Sequence, residues 1–203
     1  MYSGITQGLF PVSHVEKKPG LINYSVTLSS ILLEGLKIGA SVNVDGVCQT
    51  VCEIKNQDVL FAAMAETLKL TTLSELAAGR LVSIERSLYY GQEIGGHELA
   101  GHVCGMAAIA AVKPSPNNLS LCFSCPSEWM KYILPKGFIA IDGSSLTVGN
   151  TDSKGFFDIH LIPETLRVTN FGNRKVGDRV NIELDKTTQI IVNTVERLAI
   201  RLI

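Results

Sequence analysis

The chain has 203 residues, 46% of them apolar and 18% charged, with a formal net charge of −1; that content excludes a disordered chain. A near-neutral sequence with no Lys/Arg run lacks the basic face of a nucleic-acid binder, and gives no reason to expect an anionic partner or a membrane surface. The first ten residues lack a charged region and a continuous apolar stretch, so no leader is expected, and no run reaches membrane-spanning length; the five cysteines are odd in number and loosely spaced, so free thiols in a reducing cytoplasm are expected.

In chain order, the first signals are Gly4 and Gly8, which recur as Gly101 and Gly105. Next, Ser41–Val44 alternates as a strand and runs into Asp45-Gly46, a hairpin dipeptide. Residues 42–54 fall on 139–151, with Asp45, Gly46, Thr50 and Val51 matching Asp142, Gly143, Thr147 and Val148. Residues 62–85 fall on 160–183, and there Glu66, Thr67, Leu68, Thr71, Gly79, Val82, Ile84 and Glu85 recur. Colinear matches of this kind are an internal duplication. Gly79-Arg80 and Gly177-Asp178 introduce two further strands, Leu81–Ile84 and Val180–Ile182. One short helix is expected in each unit, near Glu66–Leu68 or Ser127–Leu134. Strands at this density with Gly-marked turns predict a mainly β protein of two tandem, homologous six-stranded antiparallel barrels, since closure removes exposed edges. The expected units are 1–97, 98–186 and a C-terminal helix, 187–203. On that helix Ile191, Val195, Leu198 and Leu202 form one stripe, with Glu196, Arg197 and Arg201 off it. The stripe suits self-association, or packing onto its own chain.

Positions where the copies disagree are the informative ones for chemistry: Ile5 against His102, Ser41 against Phe138, Cys48 against Ser145. Cys122-Phe-Ser-Cys125 is read as neither a metal nor a redox pair, because no second pair accompanies it. There is no GxxxxGK[ST] and no strand–GxGxxG–helix for nucleotide phosphates.

The segments MYSGITQG, NVDGVCQTV, EIGGHELAGHV, MKYILPKGFIAIDGSSLTVG and HLIPETLRVTN together resemble the riboflavin synthase family, over essentially the whole chain. The resemblance implies a homotrimer that takes two molecules of 6,7-dimethyl-8-ribityllumazine per site. It moves a four-carbon unit between them to give riboflavin and 5-amino-6-(ribitylamino)uracil, without metal or organic cofactor. It also implies a possible association with lumazine synthase. By the same resemblance His102 is the expected proton shuttle, and Cys48 and Ser41 the groups that add to, or place water on, the ligand ring; Cys48 could equally be a small buried hydrophobe. Asp185 either caps the terminal helix or orients His102 across a subunit boundary. His97 is read as structural, or as supporting a site residue from behind. The pocket walls implied are Gly4, Ile5 and Thr6; Cys48, Gln49 and Thr50; Ala62, Ala63, Met64, Ala65, Glu66 and Thr67; Gly101, His102 and Val103; Lys136; Ser145, Leu146 and Thr147; and Ile162, Pro163, Glu164, Thr165, Leu166 and Arg167. Position 2 is Tyr where many members carry Phe, and the added hydroxyl is expected to cost little. The alternative on the same scaffold is a non-catalytic lumazine- or flavin-binding protein; retention of His102, Cys48, Ser41 and the second copy's IDGSSLTVG favours the enzyme.

Overall fold

The computed structural model describes residues 1–116 and 118–200, the side chain of Ile200 excepted. The first unit comprises β1 (Gly8–Lys18), β2 (Leu21–Thr27), α1 (Ser30–Leu33), β3 (Ser41–Val44), β4 (Val47–Thr50), β5 (Glu53–Lys55), β6 (Asp58–Met64), α2 (Ala65–Leu70) and β7 (Leu81–Arg86). The second comprises β8 (Gly105–Pro114), β9 (Leu119–Ser124), β10 (Phe138–Ile141), β11 (Ser144–Thr151), β12 (Phe156–Leu161), α3 (Pro163–Val168) and β13 (Arg179–Leu184). Helix α4 (Lys186–Ile200) follows. The helix expected near Glu66–Leu68 is α2, and the second unit has its equivalent in α3; the helix expected at Ser127–Leu134 is only a single 3-10 turn, Ser127–Trp129.

In the second unit the antiparallel order β10-β11-β12-β9-β8-β13 closes into a six-stranded barrel. The first unit departs from the expected count: it is a seven-stranded sheet in the order β4-β3-β7-β1-β2-β6-β5. The cause lies at Val51 and Cys52, where the strand equivalent to β11 breaks. The Val51 amide turns back to the Ala40 carbonyl (2.9 Å), while the Cys52 amide reaches the Leu60 carbonyl (2.8 Å). One bent strand thus becomes β4 and β5. The second copy handles the same bend as a register shift between Val148 and Thr151, keeping β11 continuous.

Strand alternation builds the cores. Ile22, Tyr24 and Val26 of β2 point into the first unit with Val42, Val59, Phe61 and Val82. Leu121 and Phe123 of β9 point into the second with Ile139, Phe157, Val180 and Ile182. Alternation fails on β3, β7, β10 and β13, which are buried on both faces. Their outer faces are covered by the other unit, as cross-unit bonds show. The Asn181 side chain donates to the Asp45 carbonyl (2.6 Å) and accepts the Thr72 amide (2.8 Å).

The two Asp-Gly hairpins meet at the centre of this interface. Asp45, Gly46, Asp142 and Gly143 have φ of 46°, 85°, 44° and 82°, the left-handed pair that a tight hairpin turn demands. A Cβ on Gly46 would lie 2.7 Å from the Gly143 amide nitrogen, so the turns could not touch with any larger residue. Behind them Asp45 and Asp142 are fully buried, paired with Arg80 and Arg174.

Helix α4 docks on the second unit through polar contacts, Tyr132 hydroxyl to Asn193 and Lys131 to Glu196, each 2.6 Å. Its apolar residues Ile190, Ile191, Val195 and Leu198 remain 54–60% exposed. Arg201 and Leu202 lie outside the described residues. Among the described residues no helix is long and apolar enough to cross a membrane.

Candidate functional site

Each unit lends its leading segment to the other. Glu85 at the end of β7 accepts from the Ser3 amide (2.7 Å), the Ser3 hydroxyl (2.7 Å) and the Gly4 amide (3.1 Å). Glu183, its equivalent on β13, accepts from the amides of Ala100 (2.8 Å) and Gly101 (3.0 Å). Burial pushes both carboxyls above the ordinary range, against the pull of these amide donors. The segments so held cross over. The Gly101 carbonyl accepts the Cys48 amide (2.9 Å) and the Gly4 carbonyl accepts the Ser145 amide (2.8 Å). Tyr2 and Leu99 bridge the two segments through reciprocal amide–carbonyl bonds of 2.8 and 3.0 Å.

This exchange makes a cleft of about 240 Å³ on the first unit, lined by Val47, Cys48, Glu66, Thr67, Leu70, Thr71, Gly101, His102 and Val103. The expected His102 and Cys48 therefore share one cleft although they come from different copies. His102 is exposed and Cys48 half-buried. Ser41 lies directly across the hairpin from Thr50, at the far end of β3 from the Asp-Gly turn.

The equivalent surface of the second unit has other chemistry. Ser145 stands for Cys48 and its hydroxyl is 2.6 Å from His97 Nδ1. The His97 ring stacks on Phe138 at 4.9 Å. Burial lowers its pKa, and Nε2 finds no partner among the described residues. Thr6 and Ser144 hydroxyls pair at 2.8 Å. Glu164 is clasped by Arg167 through two bonds of 2.6 and 2.9 Å, whereas Glu66 faces the first cleft.

Several residues expected in the pocket walls turn away from them. Gln49 points inward, accepting the Tyr24 hydroxyl (3.2 Å) and donating to the Cys48 carbonyl (3.0 Å). Ala63 packs in the first core and Leu146 against the second. Gln49 and Ala63 are buried, so only their backbone groups could meet a ligand, whereas Leu146 is half-buried. Ala62, Met64, Ala65, Thr147, Ile162, Pro163 and Lys136 are exposed, and Thr165 and Leu166 half-buried on α3. Asp185 caps α4: one carboxylate oxygen accepts the Thr188 amide and hydroxyl, both at 2.6 Å. The Asp185 charge is also close enough to raise the pKa of His97 against burial.

Residues that sequence reasoning passed over carry much of this geometry. Glu85 and Glu183 had a signal, being identical in both copies. The Tyr2 hydroxyl had none. It is fully buried and donates to Cys48 Sγ at 3.2 Å.

A duplicated β-barrel chain whose halves exchange leading segments over a small polar cleft defines a class of two-copy small-ligand proteins. The lumazine binding domain model matches it twice, at residues 3–87 and 100–185, and the chain belongs to that family. Among curated relatives, riboflavin synthase of Escherichia coli (strain K12) is 46% identical over 98% of this chain and 93% of its own. The riboflavin synthase of Chlamydia pneumoniae is 40% identical over 98% of this chain and 96% of its own. A solved structure of LumP complexed with riboflavin has a TM-score of 0.85 at 25% identity, covering 92% of this chain and all of that one. LumP complexed with 6,7-dimethyl-8-(1'-D-ribityl) lumazine gives 0.81 at 25% identity, covering 90% of this chain and 98% of that one.

Proposed function

We propose that this chain is a riboflavin synthase: it converts two 6,7-dimethyl-8-ribityllumazine molecules into riboflavin and 5-amino-6-(ribitylamino)uracil by four-carbon transfer. The observation that carries the reading is the meeting of His102 and Cys48 in one cleft, in a chain 46% identical to a riboflavin synthase over 98% of its length. A lumazine-binding carrier would need the cleft but not both an imidazole and a thiol in its lining.

The cleft, about 240 Å³ and open, is smaller than the roughly 300–1,000 Å³ that encloses a drug-sized ligand. It suits one bicyclic ring with one face left uncovered. A second ring, held by the second unit of a neighbouring subunit, covers that face. Orienting two reactants in this way is worth up to about 7–11 kcal/mol of barrier. His102 removes and returns the proton of a ring methyl group, because an imidazole exchanges protons near neutral pH. Cys48 and Ser41 supply ring addition or hold the water that adds. Thr50, Thr147, Glu66 and Lys136 hold the polar edge and ribityl hydroxyls. Asp185, besides capping α4, orients His102 of a neighbouring subunit.

The exposed stripe of α4 supports a homotrimer, since Ile191, Val195 and Leu198 are left without apolar cover in one chain. The cytoplasm is the proposed location, and lumazine synthase a proposed associate, because it makes the substrate. The test is incubation with dimethylribityllumazine. Riboflavin should form, and His102→Gln should slow turnover by about 10²–10⁴-fold while weakening binding far less. Tight binding without any riboflavin would support a ligand carrier instead.

A further inference from the structure

We propose that Tyr2 is a positioning residue for Cys48, its phenolic hydroxyl fixing the thiol against the cleft wall; the inference rests on the riboflavin-forming reading of that cleft. The Tyr2 backbone is pinned by both bonds to Leu99, and its ring is fully buried in a small cluster with Leu99, Ala140 and Cys48. The ring edge lies beneath Gly101, where an added Cβ would come within 3.0 Å of Tyr2 Cε2. From there the hydroxyl donates to Cys48 Sγ at 3.2 Å, with Ser41 beside it. Burial, the largest cause, and the Cys48 contact push the Tyr2 pKa upward, so the phenol stays protonated and remains a donor. Cys48 in turn is held at its backbone by the Gly101 carbonyl. Backbone and sulfur are thus both anchored in a residue that lines the cleft.

The second copy shows that this anchoring is a separate choice from packing. The residue aligned with Tyr2 is Leu99, which has no polar atom on its side chain. There Ser145 is held instead by His97, at 2.6 Å. The two side chains at equivalent places are thus each steadied by one polar partner. A phenol donor serves the first and an imidazole the second, which tunes the two sites apart.

The experiment uses the full-length protein with Tyr2→Phe, Cys48→Ala and the double variant. Phe fills the same space, so only the hydroxyl is lost. The O–H bond to sulfur keeps the thiol in the one place where iodoacetamide reaches it from the cleft. Tyr2→Phe should therefore slow alkylation of the Cys48 peptide, followed by mass spectrometry with and without riboflavin in the cleft, by about threefold or more. It should also lower kcat by about three- to tenfold with KM within about twofold, and add no further loss in the Cys48→Ala background. Unchanged alkylation and kcat, or an equal loss on top of Cys48→Ala, would overturn the inference. A wild-type protein with no turnover, in which Tyr2→Phe still slows alkylation, would retain the Tyr2–Cys48 coupling and overturn only the reading of the reaction.

Discussion

The Cys48 amide donates to the Gly101 carbonyl at 2.9 Å, so a residue of the second half closes the site of the first. Gly101 has φ +76°, and a Cβ there would lie 2.7 Å from Cys48 Cβ. Backbone in that region costs a side-chain-bearing residue about 1–3 kcal/mol before any clash. Gly101→Ala should therefore lower the unfolding free energy by at least about 1 kcal/mol and weaken riboflavin binding, measured by denaturant unfolding and fluorescence titration. Wild-type values for both would mean that the crossing segment does not shape the cleft.

Glu85 and Glu183 are equivalent in the fold and unequal in consequence. Glu183 holds Ala100 and Gly101, and with them His102, whereas Glu85 holds the segment that carries Ile5. Replacing either by Gln leaves a single acceptor oxygen for two or three donors, at a cost of about 1–3 kcal/mol in stability. Turnover should fall much further in Glu183→Gln than in Glu85→Gln, because only the former displaces an imidazole. Equal losses in kcat would indicate that Glu183 serves the fold alone.

The paired hairpin tips make stability depend on pH. Burial first, then the charge of Asp142, push Asp45 up to about 7, against the attraction of Arg80. Unfolded, the same carboxyl titrates near about 3.9. Between those values the folded chain keeps a proton that the unfolded chain has lost. The stabilisation is present at the acid end and is lost as pH rises through about 7. Asp45→Asn removes that proton exchange while keeping an oxygen for the Ser83 amide. Across about pH 4 to 7, the wild type should lose stability relative to Asp45→Asn, read from urea midpoints. Parallel curves would contradict a proton held on Asp45.

Much of the fold is legible from residues that recur. Asp45-Gly46 and Asp142-Gly143 announce the hairpins because their left-handed turns leave few alternatives, and Glu66-Thr67-Leu68 marks both short helices. The break at Val51–Cys52 is not legible, since either copy's sequence fits a strand and only closure of the sheet decides which one bends. The ion pairs are hidden for another reason: Arg80 aligns with Asp178, while the partner of Asp142 is Arg174, which aligns with Leu76. Space conserves the pairing and alignment does not. In the candidate site, contiguous runs such as Cys48, Gln49 and Thr50 cannot all face a ligand. A strand sends alternate side chains to opposite faces, which is why Gln49 ends against Tyr24. The Tyr2–Cys48 contact joins residues with no periodic relation, and only the crossing of the two segments brings them together.

The apolar stripe of α4 should govern assembly more than folding. Ile191→Lys with Val195→Lys places charge on residues already more than half exposed, so unfolding of the isolated chain should change by no more than about 0.5 kcal/mol. Sedimentation should show the wild type as a trimer and the variant as smaller species. A variant that remains trimeric would place the subunit contact elsewhere.

The most direct measurement is the balance of the reaction itself, with dimethylribityllumazine consumed set against riboflavin and aminoribitylaminouracil formed, by chromatography at full conversion. Pairing of like molecules across the two kinds of site predicts two consumed for one of each product. Riboflavin formed from one molecule without the uracil, or substrate bound and recovered intact, would contradict it.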